Sequence, residues 1–275
     1  MTIFEKTKVM SAADNYLAIN RQSWNNKVDY HLKSAFYNHE AFLKGANTLQ
    51  SIEVDLLGTI SNTSILHLQC HFGQDTISLN RLGAQVTGVD FSNRAIEEAK
   101  SIAEETESTA SFICSDIYDL PNHLEQQFDI VFTSYGTIGW LPDLDKWSAV
   151  VAHFLKPGGR LILVDFHPVV WMFDDNFQQI EYSYFNKEPI IITENGTYAD
   201  KDAALTQDTV SWNHPLTDIL SNLIKHRLSI SSFKEFDYSP YACFNQMKEI
   251  APNKFVIEAF GNKLPMVYAI EAIKQ

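Results

Sequence analysis

Hydrophobic residues between positions 64 and 166 are grouped in five short runs, separated by polar segments, several of which have helical spacing. Each run is continuously apolar rather than alternating, which is typical of parallel strands that are covered on both faces. Short connections between alternating strands and helices are what βαβ units require. The runs are 64–69, 84–90, 110–116, 128–135 and 160–166, and the predicted helices between them are 75–83, 92–105 and 144–156. This part of the chain is therefore predicted to form a doubly wound, mostly parallel α/β sheet.

The segment before this alternation has a different pattern. One irregular helix is predicted over Asp14–Phe42 and a second over Gly45–Leu57, which Gly58 ends. We interpret residues 1–60 as an N-terminal helical cap on the sheet.

The segment after the alternation contains short runs typical of antiparallel strands: EYSYF, PIIITENGTYAD and DTVSW. Asn195-Gly196 is a strong signal for a hairpin turn. A helix is predicted after Pro215, followed by two further strands over 228–238 and 264–274. We therefore predict a single domain over 1–275. Its parts are the cap at 1–60, the core at 61–168, a β-rich lid insertion at 169–213, and a closing helix with the last strands at 214–275.

Composition narrows the possible functions. The formal net charge is −13 and no run of Lys or Arg offers a basic patch, so no nucleic-acid partner is expected and a small or cationic substrate fits better. No apolar run approaches membrane-spanning length, and MTIFEKTKVMSAADNY lacks the apolar centre of a signal peptide. We expect a cytoplasmic protein without membrane contact. The oligomeric state is not predicted.

The cysteines and histidines do not indicate a metal site. Cys70, Cys114 and Cys243 are widely spaced and form no CxxC pair, so neither a disulfide framework nor structural zinc is expected. His67 and His71 lie on a strand and its turn rather than on one helix face. We predict no bound metal.

The turn LHLQCHFGQDT, after the first strand, is the first candidate site. Ligands bind at the carboxyl ends of strands in an open parallel sheet, and a helix N-terminus there suits a carboxylate or phosphate. Gly73 allows close approach of the backbone, and Asp75 and Thr76 begin the helix. The alternative is an ordinary βα turn with one glycine, and the turn taken alone favours that alternative.

Two acidic residues end the next strands. Asp90, 17 residues after Gly73, can accept hydrogen bonds from both hydroxyls of a ribose, and Phe91 can cover an adenine face. Asp116 can accept a bond from the adenine amine while Ile117 packs on the ring. The alternatives are a helix-capping Asp90, although Ser92 already serves that role, and an Asp116 that merely faces solvent.

Together these segments resemble the class I S-adenosylmethionine-dependent methyltransferases, and more narrowly a bacterial subgroup with CHFGQDT and WNHP segments. The order and spacing of Gly73, Asp90, Asp116, the FDIVFTSY strand and LKPGGRLIL carry the resemblance, over about residues 60–168. It implies a seven-stranded, mostly parallel sheet with the last strand antiparallel, and an enzyme that transfers a methyl group from S-adenosylmethionine to a small molecule by direct displacement. It also implies that the turn binds the amino-acid end of the cofactor, Asp90 the ribose and the Asp116 segment the adenine.

The turn departs from the family pattern, acidic-x-Gly-x-Gly-x-Gly, because His67, Gln69 and His71 replace the acid and two glycines. We assign Gln69 and His71 to the cofactor site, where their side chains can bond the methionine carboxylate or amine. Thr76 and Ser134 are assigned to the same site. Alternatively, these side chains block the cofactor and the chain is a non-catalytic binding module with a relic fold.

No residue is clearly catalytic, since displacement at an activated methyl needs alignment above all. Two residues are candidates. His167 can take a proton at the rim of the sheet, although a strand-end hydrogen bond is slightly favoured for it. Tyr135 can face the sulfonium, or it can be simple rim packing. A nicotinamide-dependent oxidoreductase would also use Asp90, but it requires G-x-G-x-x-G after the first strand.

Overall fold

The computed structural model describes residues 15–275, so Asp14, the predicted first residue of the N-terminal helix, lies outside the described residues. The helices are α1 (Tyr16–Lys33), α2 (His39–Leu43), α3 (Ser51–Leu57), α4 (Gln74–Arg81), α5 (Asn93–Glu105), α6 (Leu144–Phe154) and α7 (Leu216–Lys225). The strands are β1 (Ser64–Leu68), β2 (Gln85–Asp90), β3 (Ser111–Cys114), β4 (Phe128–Ser134), β5 (Leu155–Phe166), β6 (Ile190–Asn195), β7 (Thr206–Ser211), β8 (Leu228–Phe236), β9 (Met247–Ala251), β10 (Lys254–Ile257) and β11 (Val267–Lys274).

Seven strands form one sheet in the order β3-β2-β1-β4-β5-β11-β8. β1 to β5 are parallel, and β11 is antiparallel to both β5 and β8. The strand order reverses between β1 and β4, which creates the crevice where such sheets bind ligands. The predicted doubly wound fold, with its antiparallel last strand, is confirmed.

The core lies on both faces of the sheet. Trp147 of α6 and Tyr268 of β11 are fully buried in the cluster on one face, while Ile65 and Phe132 belong to the cluster on the other. Helices therefore cover the apolar strands on both sides, as their unbroken hydrophobic runs require.

Three local predictions were wrong. The N-terminal helix is interrupted at 34–38, where Asn38 has a φ of 39°. EYSYF forms no strand. The helix predicted over 144–156 ends at Phe154, and residues 156–159 bulge within β5, where the pairing with β4 shifts. The hairpin indicated by Asn195-Gly196 forms between β6 and β7, through a loop over 196–205. The β9–β10 hairpin was not predicted.

The β6–β7 hairpin packs on α1 through polar contacts. The Asn20 side chain donates to the Val210 carbonyl at 2.7 Å and accepts from the Val210 N–H at 2.9 Å. Lys27 forms a 2.7 Å ion pair with Glu194. Because these contacts join α1 to both strands of the hairpin, we call α1 and the β6–β7 hairpin together the cover. Helices of the described chain are all too short or too polar to cross a membrane.

Candidate functional site

A cavity of about 1310 Å³ opens at the carboxyl ends of the central strands, beneath the cover. Its walls combine strand-end turns with side chains of α1 and the hairpin. The predicted site residues that line it are Gln69, His71, Gly73, Asp90, Phe91, Ser134 and Tyr135. The cavity therefore brings together most of the residues that the sequence pointed to.

The turn after β1 has the backbone of a glycine-rich loop but the side chains of other residues. Gln69 and His71 have φ values of 56° and 50°, and Gly73 has 78°. Left-handed φ costs a residue with a Cβ about 1–2 kcal/mol. A Cβ on Gly73 would also lie 2.5 Å from the Phe112 ring. Such strain concentrates at ligand sites, where backbone shape is part of the function.

The Gln69 side chain bridges two strand-end turns. Its Nε2 donates to the Thr137 carbonyl at 2.7 Å, which fixes the amide orientation and leaves Oε1 without a partner among residues 15–275. Gln74, at the start of α4, is buried, and its Nε2 has no partner in the described chain either. Both side chains line the cavity, so the turn offers it one free acceptor and one free donor.

His71 is paired with a histidine of α1. Its Nε2 lies 3.0 Å from Nδ1 of His31, and its own Nδ1 has no partner within the described residues. Burial, together with the charge of Lys27, lowers the pKa of His71 well below its usual value and that of His31 to about 3. Both rings are therefore neutral at physiological pH, and one of them donates to the other.

Thr76 does not line the cavity. Its Oγ1 lies 2.8 Å from Nδ1 of His67, and both side chains are buried between the sheet and α4. Burial lowers the pKa of His67 to about 3. At the position of the family's acidic residue, the chain thus has a neutral histidine bonded to the first turn of the helix.

Asp90 ends β2 with both carboxylate oxygens held by the backbone. Oδ2 accepts from the His71 N–H at 2.9 Å and Oδ1 from the Ser92 N–H at 2.8 Å. Burial raises the pKa of Asp90 to about 6, although the backbone donors oppose this shift. Ser92 caps α5 as predicted, accepting from the Ala95 N–H. Asp90 is thereby fixed at the cavity wall, and each oxygen keeps a further lone pair.

Asp116 and Ile117 are separated from the large cavity. Asp116 lines a smaller depression of about 580 Å³ with Arg21 of α1, and Ile117 is buried in the core. Arg21 donates to the backbone carbonyl of Phe91, and Phe91 itself lines the large cavity. The two hollows are therefore neighbours, and α1 lies at their boundary.

Tyr135 contacts a buried acid that the sequence analysis missed. It follows β4 with a φ of 45°, and its hydroxyl donates to Oε2 of Glu53 at 2.8 Å. Glu53 is fully buried, and its Oε1 accepts from the Gln50 N–H, completing a capping box on α3. Burial raises the pKa of Glu53 to about 8. The Gln50–Glu53 spacing indicated a helix start, but nothing in the sequence indicated burial.

His167 points away from the cavity. Its Nε2 lies 3.0 Å from Glu235 of β8, and its Nδ1 accepts from the Val169 N–H. This geometry matches the strand-end hydrogen bond that the sequence analysis slightly favoured. Asp165, at the end of β5, was not predicted as a site residue. It accepts hydrogen bonds from the backbone N–H groups of residues 136–138 and so holds the turn after β4.

Aromatic side chains form much of the remaining wall. Trp24 of α1 lies 5.2 Å from the His71 ring and 5.5 Å from Trp140, between ring centroids. Lys27 lies over the Trp24 ring at 5.1 Å. Tyr37 is hydrogen-bonded through its hydroxyl to Tyr198 of the hairpin loop. Within residues 15–275, no three His, Cys, Asp or Glu side chains are grouped as metal ligands would be.

Comparison with known proteins finds methyltransferases among the relatives of the chain. Residues 65–159 match a family described as a methyltransferase domain. The chain is 33% identical over 131 residues to an uncharacterized methyltransferase of Synechocystis sp., which covers 47% of this chain and 59% of that protein. It is 29% identical over 194 residues to a ubiquinone biosynthesis O-methyltransferase of Coxiella burnetii, covering 68% of this chain and 78% of that one.

Solved structures share the fold. An S-adenosylmethionine-dependent methyltransferase from Clostridium acetobutylicum superimposes with a TM-score of 0.56 at 16% identity, covering 94% of this chain and 99% of the other. One from Mesorhizobium loti gives 0.55 at 16% identity, covering 84% and 100%. At these identities the likeness concerns the fold alone.

Proposed function

Because residues 65–159 match a methyltransferase domain and the chain shares the fold of S-adenosylmethionine-dependent methyltransferases, we propose that it is a class I member of these enzymes and methylates a small molecule bound in the large cavity. The observation that carries this proposal is the turn over Gln69, His71 and Gly73, which has left-handed backbone at all three residues at the place where the family has its glycines. A relic that had lost its cofactor would have no need of a strained turn at this position.

The amino-acid end of the cofactor fits the free polar atoms of the turn. Oε1 of Gln69 can accept from the ammonium group, and Nε2 of Gln74 can donate to the carboxylate at the N-terminus of α4. These partners replace the bare backbone that glycines would leave. Gln69, one of the two side chains that raised the possibility of a blocked site, thus becomes a ligand in this proposal.

For the adenosine end we propose that Asp90 binds the ribose hydroxyls and that Phe91 packs on the adenine. The adenine would reach Asp116 across the boundary at Arg21. Support comes from the fixed orientation of Asp90 and from the hydrogen bond between Arg21 and the Phe91 carbonyl. Each hydrogen bond to a charged acceptor contributes about 1.5–3 kcal/mol.

When bound, the cofactor supplies an electrophilic methyl group on a positive sulfur. The chain then needs to hold the acceptor atom in line with it, and such positioning can contribute about 7–11 kcal/mol. For an acceptor that carries a proton, we propose transfer to the Tyr135 hydroxyl while the Tyr135 proton passes to Glu53. Support comes from the 2.8 Å bond between these two residues and from the position of Tyr135 on the cavity wall.

We also propose that the cover closes the acceptor part of the cavity and that the protein works in the cytoplasm. Three unpaired cysteines, Cys70, Cys114 and Cys243, suit a reducing compartment.

Calorimetry with S-adenosylmethionine tests the site. Asp90→Ala should weaken binding about tenfold or more, because a charged hydrogen-bond acceptor is lost. Asp55→Ala, at an exposed position of α3 that lines neither hollow, is the matched control and should bind as the wild type does. Unchanged affinity in a folded Asp90→Ala protein would remove Asp90 from the site, and tighter binding of NADH than of S-adenosylmethionine would contradict the family assignment.

A further inference from the structure

We propose that the methyl acceptor is an organic amine with an aromatic or apolar body, bound as its ammonium ion beside Asn213. This proposal rests on the proposed function, because it names the acceptor class for the same cavity.

Asn213 is a buried polar group with one free acceptor. It follows β7, lines the cavity and is 1% exposed. Its Nδ2 donates to the Pro168 carbonyl at 3.1 Å, and because a carbonyl can only accept, this bond fixes which end of the amide is which. Oδ1 then has no partner among the described residues, 15–275. A buried acceptor of this kind can receive a hydrogen bond from a ligand that donates, and an ionised carboxylate cannot donate one.

Charged side chains on the cavity wall favour a cation. Asp174, Asp175 and Glu181 are acidic residues that line the cavity, and the basic Lys201 lines it as well. Lys201 donates to Asn245 at 2.5 Å. A cleft with an excess of acidic groups raises the local concentration of cations and the rate at which they bind.

The interior does not reverse this preference. Lys27 is neutralised by Glu194, and its ammonium lies against the Trp24 ring. Burial lowers the pKa values of the histidines that line the cavity, His67, His71 and His214, so they add little positive charge. Asp75, which is buried on the same wall, adds negative charge whenever it is ionised.

Aromatic side chains line the same cavity as Asn213: Phe166, Trp171 and Phe244. The Phe166 ring lies 5.0 Å from Phe244 and 6.0 Å from Trp171. Trp171 and Phe244 are themselves 5.3 Å apart. Aromatic faces attract an ammonium ion, and their area accommodates an apolar body.

The groups already described account for the proton that this reaction releases. The bound ammonium gives one proton to the Tyr135 oxygen as the Tyr135 proton passes to the Glu53 carboxylate, which frees the nitrogen lone pair. That pair forms the new N–C bond while the C–S bond breaks and sulfur keeps its electrons. The product is the methylated ammonium ion and neutral S-adenosylhomocysteine, with the released proton on Glu53.

Three probes of one shape test the proposal: 2-phenylethylamine, 2-phenylethanol and 3-phenylpropanoate. Each is titrated into the full chain saturated with S-adenosylhomocysteine. The amine should bind about tenfold or more tightly than either analogue, corresponding to one further charged hydrogen bond. Equal or tighter binding of the alcohol or the carboxylate overturns the proposal, and so does the absence of binding by all three at millimolar concentration. If S-adenosylhomocysteine itself does not bind, the proposed function fails instead.

A variant of Asn213 tests whether this residue causes the preference for the amine. Asn213→Leu keeps the size and removes the acceptor, so it should abolish the preference for the amine and leave S-adenosylhomocysteine affinity within about twofold. Asn122→Leu, at an exposed position, is the matched control. The double variant Asp175→Asn with Glu181→Gln leaves the core untouched and should reduce the salt dependence of amine binding alone. If both variants bind the amine as the wild type does, the proposal is wrong.

Discussion

The strand-end turns that line the cavity, at residues 69–75, 90–91 and 134–140, are its floor. The floor and the cover are held in place in opposite ways. Floor residues are held by backbone groups at strand ends, as Asp90 is held by the N–H groups of His71 and Ser92. The cover is held by side chains far apart in the sequence, such as Lys27 with Glu194. The floor is therefore a consequence of sheet topology, while the cover depends on individual side-chain pairs. Changes in the floor should act on folding and cofactor affinity, and changes in the cover on stability and acceptor binding.

The largest effect is expected at Gly73. Gly73→Ala adds a Cβ that would overlap the Phe112 ring, in addition to left-handed strain, so we expect a loss on the order of 3 kcal/mol. Gly158→Ala is the matched control, because Gly158 has a similar φ of 76° and no atom within 4 Å of the added Cβ. The Gly158→Ala variant should lose only about 1 kcal/mol of unfolding free energy. Urea unfolding of both variants measures the difference, and equal losses would show that the floor is not tightly packed at this turn.

Glu53 should give the reaction a pH dependence. Because burial raises its pKa to about 8, the carboxylate that accepts a proton is formed as the pH rises through 8, and kcat should rise with it. Glu53→Gln should lower kcat about hundredfold and remove this rise. Tyr135→Phe should do the same, whereas His167→Asn should leave the profile unchanged. A rise near pH 8 that persists in Glu53→Gln would assign it to another group.

The same pKa predicts a trend in stability. Folding favours the protonated form of Glu53, so its contribution is complete below its ordinary pKa of 4.5 and is lost as the pH rises through 8. Glu53→Gln should therefore become more stable relative to the wild type between pH 5 and pH 8, by unfolding midpoint. A constant difference over this range would mean that Glu53 is ionised throughout.

A smaller effect is expected for the cover. Lys27→Met leaves Glu194 without its partner, and since that side chain is 27% exposed we expect about 2 kcal/mol rather than the full penalty of a buried charge. The double variant with Glu194→Gln should recover most of this loss. Lys44→Met, which removes an exposed pair with Glu40, is the control and should change stability by less than about 0.5 kcal/mol. S-adenosylmethionine affinity should stay near the wild-type value in all three.

The difference between the floor and the cover also explains how much of the structure could be predicted from the sequence. Continuous apolar runs gave the parallel sheet, and strand-end residues such as Asp90 followed from it because strand ends meet at one edge. The pairing of His71 with His31 and of Tyr135 with Glu53 could not be predicted, since each joins elements whose packing no local pattern encodes. The contact of Thr76 with His67 could not be predicted for a related reason: a position in the first turn of α4 does not reveal which way the side chain turns.

The central claim is that the altered turn still receives the amino-acid end of the cofactor, and a crystal structure with S-adenosylhomocysteine tests it most directly. The ligand carboxylate is predicted to lie within hydrogen-bond distance of Gln74 Nε2 or the first N–H groups of α4, and its ammonium group near Gln69 Oε1. If Gln69 and His71 instead fill that space, and the ligand does not bind at millimolar concentration, the turn is a blocked site and the account is contradicted.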